Sequence, residues 1–303
     1  MMGKKATTRF VMSGQLGNQL FQLMAALLYG AKNFDGAELE FKDYKYSSNE
    51  TSCMLTNIQC ALPFVFPKQR LRIIRYFALK SYVLAHKNAL YRKIRKTIFK
   101  DFFTSEIGYA AEFSFEKRYR EVHGYFQTYL IPKQLQELGS FPNLEILNPT
   151  KWYLNMISEL RSKSVLVIHV RRGDYYQFRE SIGILTTQYY YRAAKIVYAR
   201  IQIDETWIFT NDTEEVKNTF DLRNFLNPKL VVPPTSSHPM ESLLLMSNGR
   251  GIVIANSSYS WWSAYIASYQ SFILAPRKWY KGIQDPKDLI PPDWTTLESD
   301  WMN

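Results

Sequence analysis

The chain reads as an α/β protein whose strands lie in parallel sheets. Three observations carry this reading. Apolar runs of strand length alternate with stretches of helical period along most of the 303 residues. Several of those runs end abruptly in polar clusters, as strands do when they deliver side chains to one edge of a parallel sheet. Pro132, Pro142 and Pro149 punctuate the chain near residue 150 and separate two such α/β runs. The expectation is therefore two Rossmann-type domains, residues 1–150 and 151–303, facing each other across a cleft, with a C-terminal tail able to pack back on the first domain.

Thr7 to Met12 predicts the first strand. Ser13-Gly14-Gln15-Leu16-Gly17-Asn18-Gln19 reads as a turn with two glycines, and Leu20 to Lys32 as a helix with Leu20, Leu23, Met24, Leu27 and Leu28 on one face. A strand, glycine turn and helix in that order leave a helix N-terminus open to a ligand. Ala37 to Phe41 predicts the next strand, and Val122 to Tyr129 a strand or an aromatic loop.

Beyond the prolines, a helix over Trp152 to Ser162 leads into the buried strand Val165 to Ile168. Thr187 to Arg200 is helical and packs Tyr190, Ala193, Ala194 and Val197. Strands follow at Thr206 to Thr210 and Leu230 to Val232, then a helix at Met240 to Ser247 and a strand at Gly251 to Ala255. The next helix carries Trp261, Trp262, Ala264, Tyr265 and Ala267, and Phe272 to Ala275 is the last strand before a Pro- and Trp-rich tail.

Composition narrows the class. At 46% hydrophobic and 16% aromatic residues the chain can fill a large core, which excludes a disordered protein. No run reaches the ~20 apolar residues of a membrane span, and the start Met1-Met2-Gly3-Lys4-Lys5 is not followed by the apolar stretch of a signal peptide. Cys53 and Cys60 have neither zinc-ribbon nor redox spacing and read as free thiols in a reducing compartment. A cytoplasmic protein is expected.

The net charge of +11 sits in one place. Residues 68–100 hold eleven Lys or Arg and no acid, while the rest of the chain holds 27 basic and 27 acidic side chains. This segment reads as one or two basic amphipathic helices. Attachment to an anionic membrane surface is one use for it, at roughly 1 kcal/mol per basic residue near the lipid. A solvated face with no partner is the plain alternative. Nucleic-acid binding is a third and weaker reading, because no recognised motif accompanies the charge.

Chemistry concentrates at three strand ends: His169-Val170-Arg171-Arg172-Gly173-Asp174-Tyr175, Thr210-Asn211-Asp212 and Asn256-Ser257-Ser258-Tyr259-Ser260. In a parallel sheet all three open on the same edge. Guanidinium forks match phosphate oxygens, so Arg171 and Arg172 suggest a diphosphate. Ser257, Ser258 and Ser260 with the N–H groups of a helix start make an anion cradle. Asp212 is placed to accept from a ribose hydroxyl or a guanine edge. The joint reading is a nucleoside diphosphate site. Each residue also has a plain reading: Ser258 and Asp212 as helix caps, His169 as a core histidine. No Asp-x-Asp pair occurs and the four histidines are scattered, so no metal site is expected and arginine takes the place of a cation.

Gly14-Gln15-Leu16-Gly17-Asn18-Gln19-Leu20-Phe21-Gln22 resembles the N-terminal signature of glycosyltransferase family 11, the α1,2-fucosyltransferases. His169 to Tyr175, Phe209 to Asp212, Ala255 to Trp262, Gly124 to Gln127 and Pro276 to Trp279 resemble its further motifs in order. The resemblance implies a GT-B-like fold and inverting transfer of L-fucose from GDP-β-L-fucose to the 2-hydroxyl of a terminal β-galactoside, with no cofactor beyond the donor substrate. It implies that Arg171 contacts the donor β-phosphate, that His169 with Asn211 or Asp212 holds the nucleoside, and that Asn256, Ser257, Ser258 and Ser260 complete the cradle. Gly14, Gly17, Asn18 and Gln19 would close over the diphosphate and fucose from the other domain. Asp174 is left with two roles, base assistance to the acceptor hydroxyl or orientation of Arg171 or Arg172. The expected setting is surface-polysaccharide synthesis on a lipid-linked acceptor at the inner face of the plasma membrane. A transferase for another GDP-sugar, or a non-enzymatic basic membrane-surface or nucleic-acid-binding protein, is the alternative.

Overall fold

The computed structural model describes residues 8–32, 37–41, 58–61, 102–104, 113–146 and 148–302. The basic segment 68–100 and Cys53 lie outside the described residues. The chain divides into two compact units: Met1–Glu145 with Pro286–Leu289, and Ile146–Asp285 with Ile290–Asn303.

In unit 1, β1 (Thr8–Met12) is flanked in parallel by β2 (Ala37–Phe41) and β5 (Glu121–His123), and β4 (Phe102–Thr104) pairs with β5, giving the order β2-β1-β5-β4. β3 (Ile58–Ala61) and β6 (Asn143–Ile146) form a separate pair. Helix α1 runs from Leu16 to Lys32, four residues earlier than its apolar stripe predicts. The reason lies in the polar residues that read as turn. Gln19 Nε2 reaches back to the Gly14 carbonyl at 2.9 Å, and Gln22 Oε1 accepts from Ser13 N at 2.9 Å. These amides bond the backbone of the turn just before the helix and so tie Ser13 and Gly14 to its first turns. Phe10, Tyr29, Phe113, Tyr119 and Phe126 form an aromatic core against α1, with Phe113 stacked on Tyr119 at 5.0 Å.

Two stretches take definite form here. The alternating run Val122 to Tyr129 is strand only as far as His123, and Phe126 takes a left-handed φ of 54°. The stretch punctuated by Pro132 contains helix α2 (Leu130–Glu137). Pro132 stands in its first turn, where a missing N–H costs no helical bond.

Unit 2 is a six-stranded parallel sheet of order β12-β11-β10-β7-β8-β9, comprising β7 (Val165–Val170), β8 (Glu205–Thr210), β9 (Pro228–Val231), β10 (Gly251–Val253), β11 (Phe272–Pro276) and β12 (Thr295–Leu297). All six residues of β7 are buried, as a central parallel strand requires. The connecting helices are α3 (Lys151–Arg161), α4 (Thr187–Arg200), α5 (Thr213–Thr219), α6 (Pro239–Met246) and α7 (Ser258–Tyr265). Thr186 caps α4 by accepting from Tyr189 N, and Tyr189, Tyr190, Ala193, Ala194 and Val197 pack with Leu166, Ile168 and Val170. The Pro- and Trp-rich tail contributes one more strand, β12, paired in parallel with β11. The parallel-sheet α/β class therefore holds.

The strand order positions the site. From β7 the chain adds β8 and β9 on one side, then returns to place β10 on the other. The reversal falls between β7 and β10, where open parallel sheets carry ligands beyond the carboxyl ends of their strands. Among the described residues no helix is long and apolar enough to cross a membrane.

Candidate active site

The crevice at the reversal is walled by the ends of β7 and β10. Beyond Val170, Arg171 lies with its guanidinium 5.0 Å from the Tyr175 ring centre, and its Nη2 donates to Asp174 Oδ2 at 2.7 Å. A cation sandwiched between a carboxylate and a ring face is held in one orientation. Asp174 and Tyr175 belong to a 3₁₀ turn, Gly173–Phe178, that folds directly under the arginine.

Gly173 makes the turn possible. Its φ is 58°, and a Cβ there would lie 2.8 Å from Asn211 Nδ2. Asn211, at the end of β8, clasps the next peptide: Oδ1 accepts from Arg172 N at 2.8 Å and Nδ2 donates to Arg172 O at 3.1 Å. Tyr175 joins the two walls by donating its hydroxyl to Asn256 O at 3.0 Å. Burial pushes that phenol up and the Arg171 charge pulls it back down, so it stays a donor at neutral pH.

Arg172 departs from its expected position beside Arg171 at the ligand. It is 1% exposed, with its guanidinium 5.8 Å from the Tyr190 ring centre and 5.5 Å from that of Phe220. Its Nε lies 2.8 Å from Glu215 Oε1, a close ion pair whose N–H is not aligned on the oxygen. Consecutive residues leaving a strand point to opposite faces, so one of two adjacent arginines must turn inward.

His169 is 3% exposed, and its ring centre lies 5.6 Å from that of Tyr259. Burial, and then the Arg171 charge, lower its pKa to about 3, so it is neutral. Its Nδ1 is buried without a hydrogen-bond partner within the protein. Such an atom has its bonding capacity in reserve.

On the β10 side, Ser257 is the N-cap residue of α7 but its side chain makes no cap bond, and Ser258 is the first helical residue. The hydroxyl of Ser260 is turned to the backbone, 3.2 Å from Ser257 O, and is fully buried. Asn256 spends its amide on Ile182 O and Gly183 O at 3.1 and 3.2 Å. Asp212 caps α5 by accepting from Glu215 N at 3.0 Å. Unit 2 thus places His169, Arg171, Asp174, Asn211, Asn256, Ser257 and Ser258 at the carboxyl ends of β7, β8 and β10, with Arg172 and Ser260 buried behind them. Tyr259 was named only as part of the third cluster, with no role, and Glu215 was not picked out by sequence reasoning. Glu215, one of two adjacent acids on a short helix, has no signal that distinguishes it from a solvated charge.

The other motif residues belong to unit 1. Gly14 has φ 75°, and a Cβ there would lie 2.7 Å from Asn18 Nδ2. Asn18 Oδ1 accepts from Gln127 Nε2 at 3.1 Å, which ties the first motif to the segment after β5. Gln22 Nε2 reaches Ser13 Oγ at 3.0 Å and Gly124 O at 3.1 Å. Gln19 and Gly17 are buried in the first turn of α1.

An arginine held by a carboxylate at the carboxyl end of β7, with a helix start following the adjacent β10, is an arrangement suited to a phosphorylated ligand. The chain belongs to glycosyl transferase family 11, whose model matches residues 7–298. It is 26% identical over 297 residues to an alpha-1,2-colitosyltransferase of Escherichia coli, covering 95% of this chain and 97% of that one. It is 30% identical over 159 residues to the O-antigen biosynthesis glycosyltransferase WbnK of Escherichia coli, about half of each chain (51% and 51%). Among solved structures, fucosyltransferase NodZ from Bradyrhizobium shares the fold, with a TM-score of 0.51 at 11% identity over 87% of this chain and 93% of that one.

Proposed function

We propose that the protein transfers L-fucose from GDP-β-L-fucose to the 2-hydroxyl of a terminal β-galactoside, with inversion, in the synthesis of a surface polysaccharide such as O-antigen. The observation that carries this reading is Arg171, held by Asp174 over Tyr175 at the strand-order reversal of a family 11 sheet. In the reaction the galactose O2 bonds to fucose C1 while the bond from C1 to the β-phosphate oxygen breaks. The electron pair leaves on GDP, and the hydroxyl proton passes to a base or to solvent. Charge develops on the departing β-phosphate, and a preoriented guanidinium stabilises it at no cost of reorganisation. Asp174 is then a positioning residue for Arg171. His169, neutral and with Nδ1 in reserve, and the α7 start at Ser257 and Ser258 complete the donor cradle. Residues 151–303 supply the donor side and residues 1–150 the acceptor side. Arginine rather than a metal ion neutralises the diphosphate.

A second donor is favoured by one observation, the 26% identity to a protein named for colitose transfer. Colitose is L-fucose without its 3-hydroxyl, so the two donors differ at a single group. A screen with GDP-fucose, GDP-colitose and GDP-mannose against β-galactosides, with and without EDTA, tests these readings. The fucosyl reading expects the highest kcat/KM with GDP-fucose, unchanged by EDTA. A higher kcat/KM with GDP-colitose moves the assignment to the second donor, and loss of transfer in EDTA overturns the metal-free mechanism. The basic segment 68–100 is proposed to hold the enzyme at the inner membrane face, near a lipid-linked acceptor. Salt-sensitive binding to anionic vesicles is the expected result, and failure to bind them at low salt removes that role.

A further inference from the structure

We infer that Glu215, through the buried guanidinium of Arg172, is a positioning residue that sets Arg171 for the reaction. The inference rests on the proposed role of Arg171 at the leaving group. Arg172 is 1% exposed and lies between Tyr190 and Phe220, too deep to reach a ligand in the crevice. Its Nη1 donates to the carbonyl of Arg171 at 3.0 Å, so the guanidinium grips the backbone of the residue that meets the donor. Glu215 anchors that guanidinium at 2.8 Å and also accepts from the Tyr176 hydroxyl. One carboxylate on α5 therefore holds both ends of the 171–176 turn. Asn211 clamps the peptide between them, and Asp174 fixes the Arg171 side chain.

An ion pair with its guanidinium fully buried is weak as a source of stability, because desolvation offsets the attraction. Its value here is geometric. A displacement of about 1 Å at the reacting group can lower a rate about 10²-fold, and the strut prevents one. A purely structural pair and a positioning pair therefore make different predictions once stability is held constant.

The experiment compares Glu215→Asp and the double variant Arg172→Met/Glu215→Gln with the parent, reading kcat, donor KM and Tm. The double variant removes the buried Arg172 charge together with its partly buried partner, so its Tm stays at or near the parent value. Its kcat is expected to fall about 10²-fold with donor KM changed less than about threefold, because a misplaced Arg171 loses transition-state contact before ground-state affinity. Glu215→Asp keeps the charge but shortens the reach, and its kcat is expected between the two. Parental kcat in either folded variant overturns the inference. Arg171→Ala, measured in parallel, separates the two readings. If it retains full transfer, the assignment of Arg171 fails. If it is inactive while the strut variants are not, only the inference about Glu215 fails.

Discussion

After β1 the chain turns at Gly14, with φ 75°, and after β7 it turns at Gly173, with φ 58°. Each glycine has an asparagine amide where a Cβ would stand, Asn18 Nδ2 at 2.7 Å and Asn211 Nδ2 at 2.8 Å. The two turns share one backbone device and put it to opposite uses. Around Gly14 the helpers are uncharged: Gln19, Gln22 and Gln127 bond to the turn, to Gly124 and to Asn18. Around Gly173 they are charged, with Arg171 on Asp174 and Arg172 on Glu215. Neutral amides fix a backbone shape without creating a field. Charges placed on the same shape create a field of defined direction. The first turn is built as a surface and the second as an electrode.

The largest effect expected from this contrast is at Arg171. Arg171→Ala should lower kcat/KM about 10³-fold, or about 4 kcal/mol of transition-state stabilisation, with Tm within a few degrees of the parent. A drop of less than tenfold in a steady-state transfer assay would break the contrast. Next come the paired substitutions Gly14→Ala and Gly173→Ala. Each should destabilise the fold by about 1–2 kcal/mol through the forced left-handed backbone, read by urea unfolding. Only Gly173→Ala should also lower kcat about 10²-fold, since it tilts the Arg171 peptide. Equal activity losses at equal stability would erase the distinction between the turns.

An effect on stability alone, with none expected on kcat, is the pH dependence set by His169. Unfolded, this histidine takes up a proton below its ordinary pKa of about 6.5. Folded, it does so only near its lowered value of about 3. The unfolded state therefore binds more protons in that interval, and stability falls as the pH drops from about 6.5 towards 3. The loss from this group reaches about 2 kcal/mol by pH 5. Chemical denaturation of the parent and of His169→Asn between pH 7 and 5 checks this, with a flatter acid limb expected for the variant.

Helix α4 and strand β7 were legible in sequence because local period and burial agree: six consecutive buried residues, then a stripe of tyrosines and alanines. The site edge was legible for the same reason, as polar clusters directly follow apolar runs. Two kinds of feature were hidden. Gln19 and Gln22 look like turn residues but are fasteners, which moved the start of α1 to Leu16. Pro132 looks like a break but stands in the first turn of α2. The inward course of Arg172 follows from strand alternation, yet its partner Glu215 lies 43 positions away along the sequence numbering and only the fold brings them to 2.8 Å.

Residues Pro286–Leu289 return to unit 1, although the chain on either side belongs to unit 2. There the Asp288 carbonyl accepts from Tyr129 N at 2.8 Å and from Thr128 Oγ1 at 2.9 Å, and Leu289 is 3% exposed. Unit 2 is therefore not one continuous stretch of chain that can be excised at residue 146. A chimera that exchanged everything after that point with a relative would import a foreign clasp for the Thr128–Tyr129 corner. Hybrids that exchange the C-terminal part with a relative should carry the native 286–289 along with the N-terminal part.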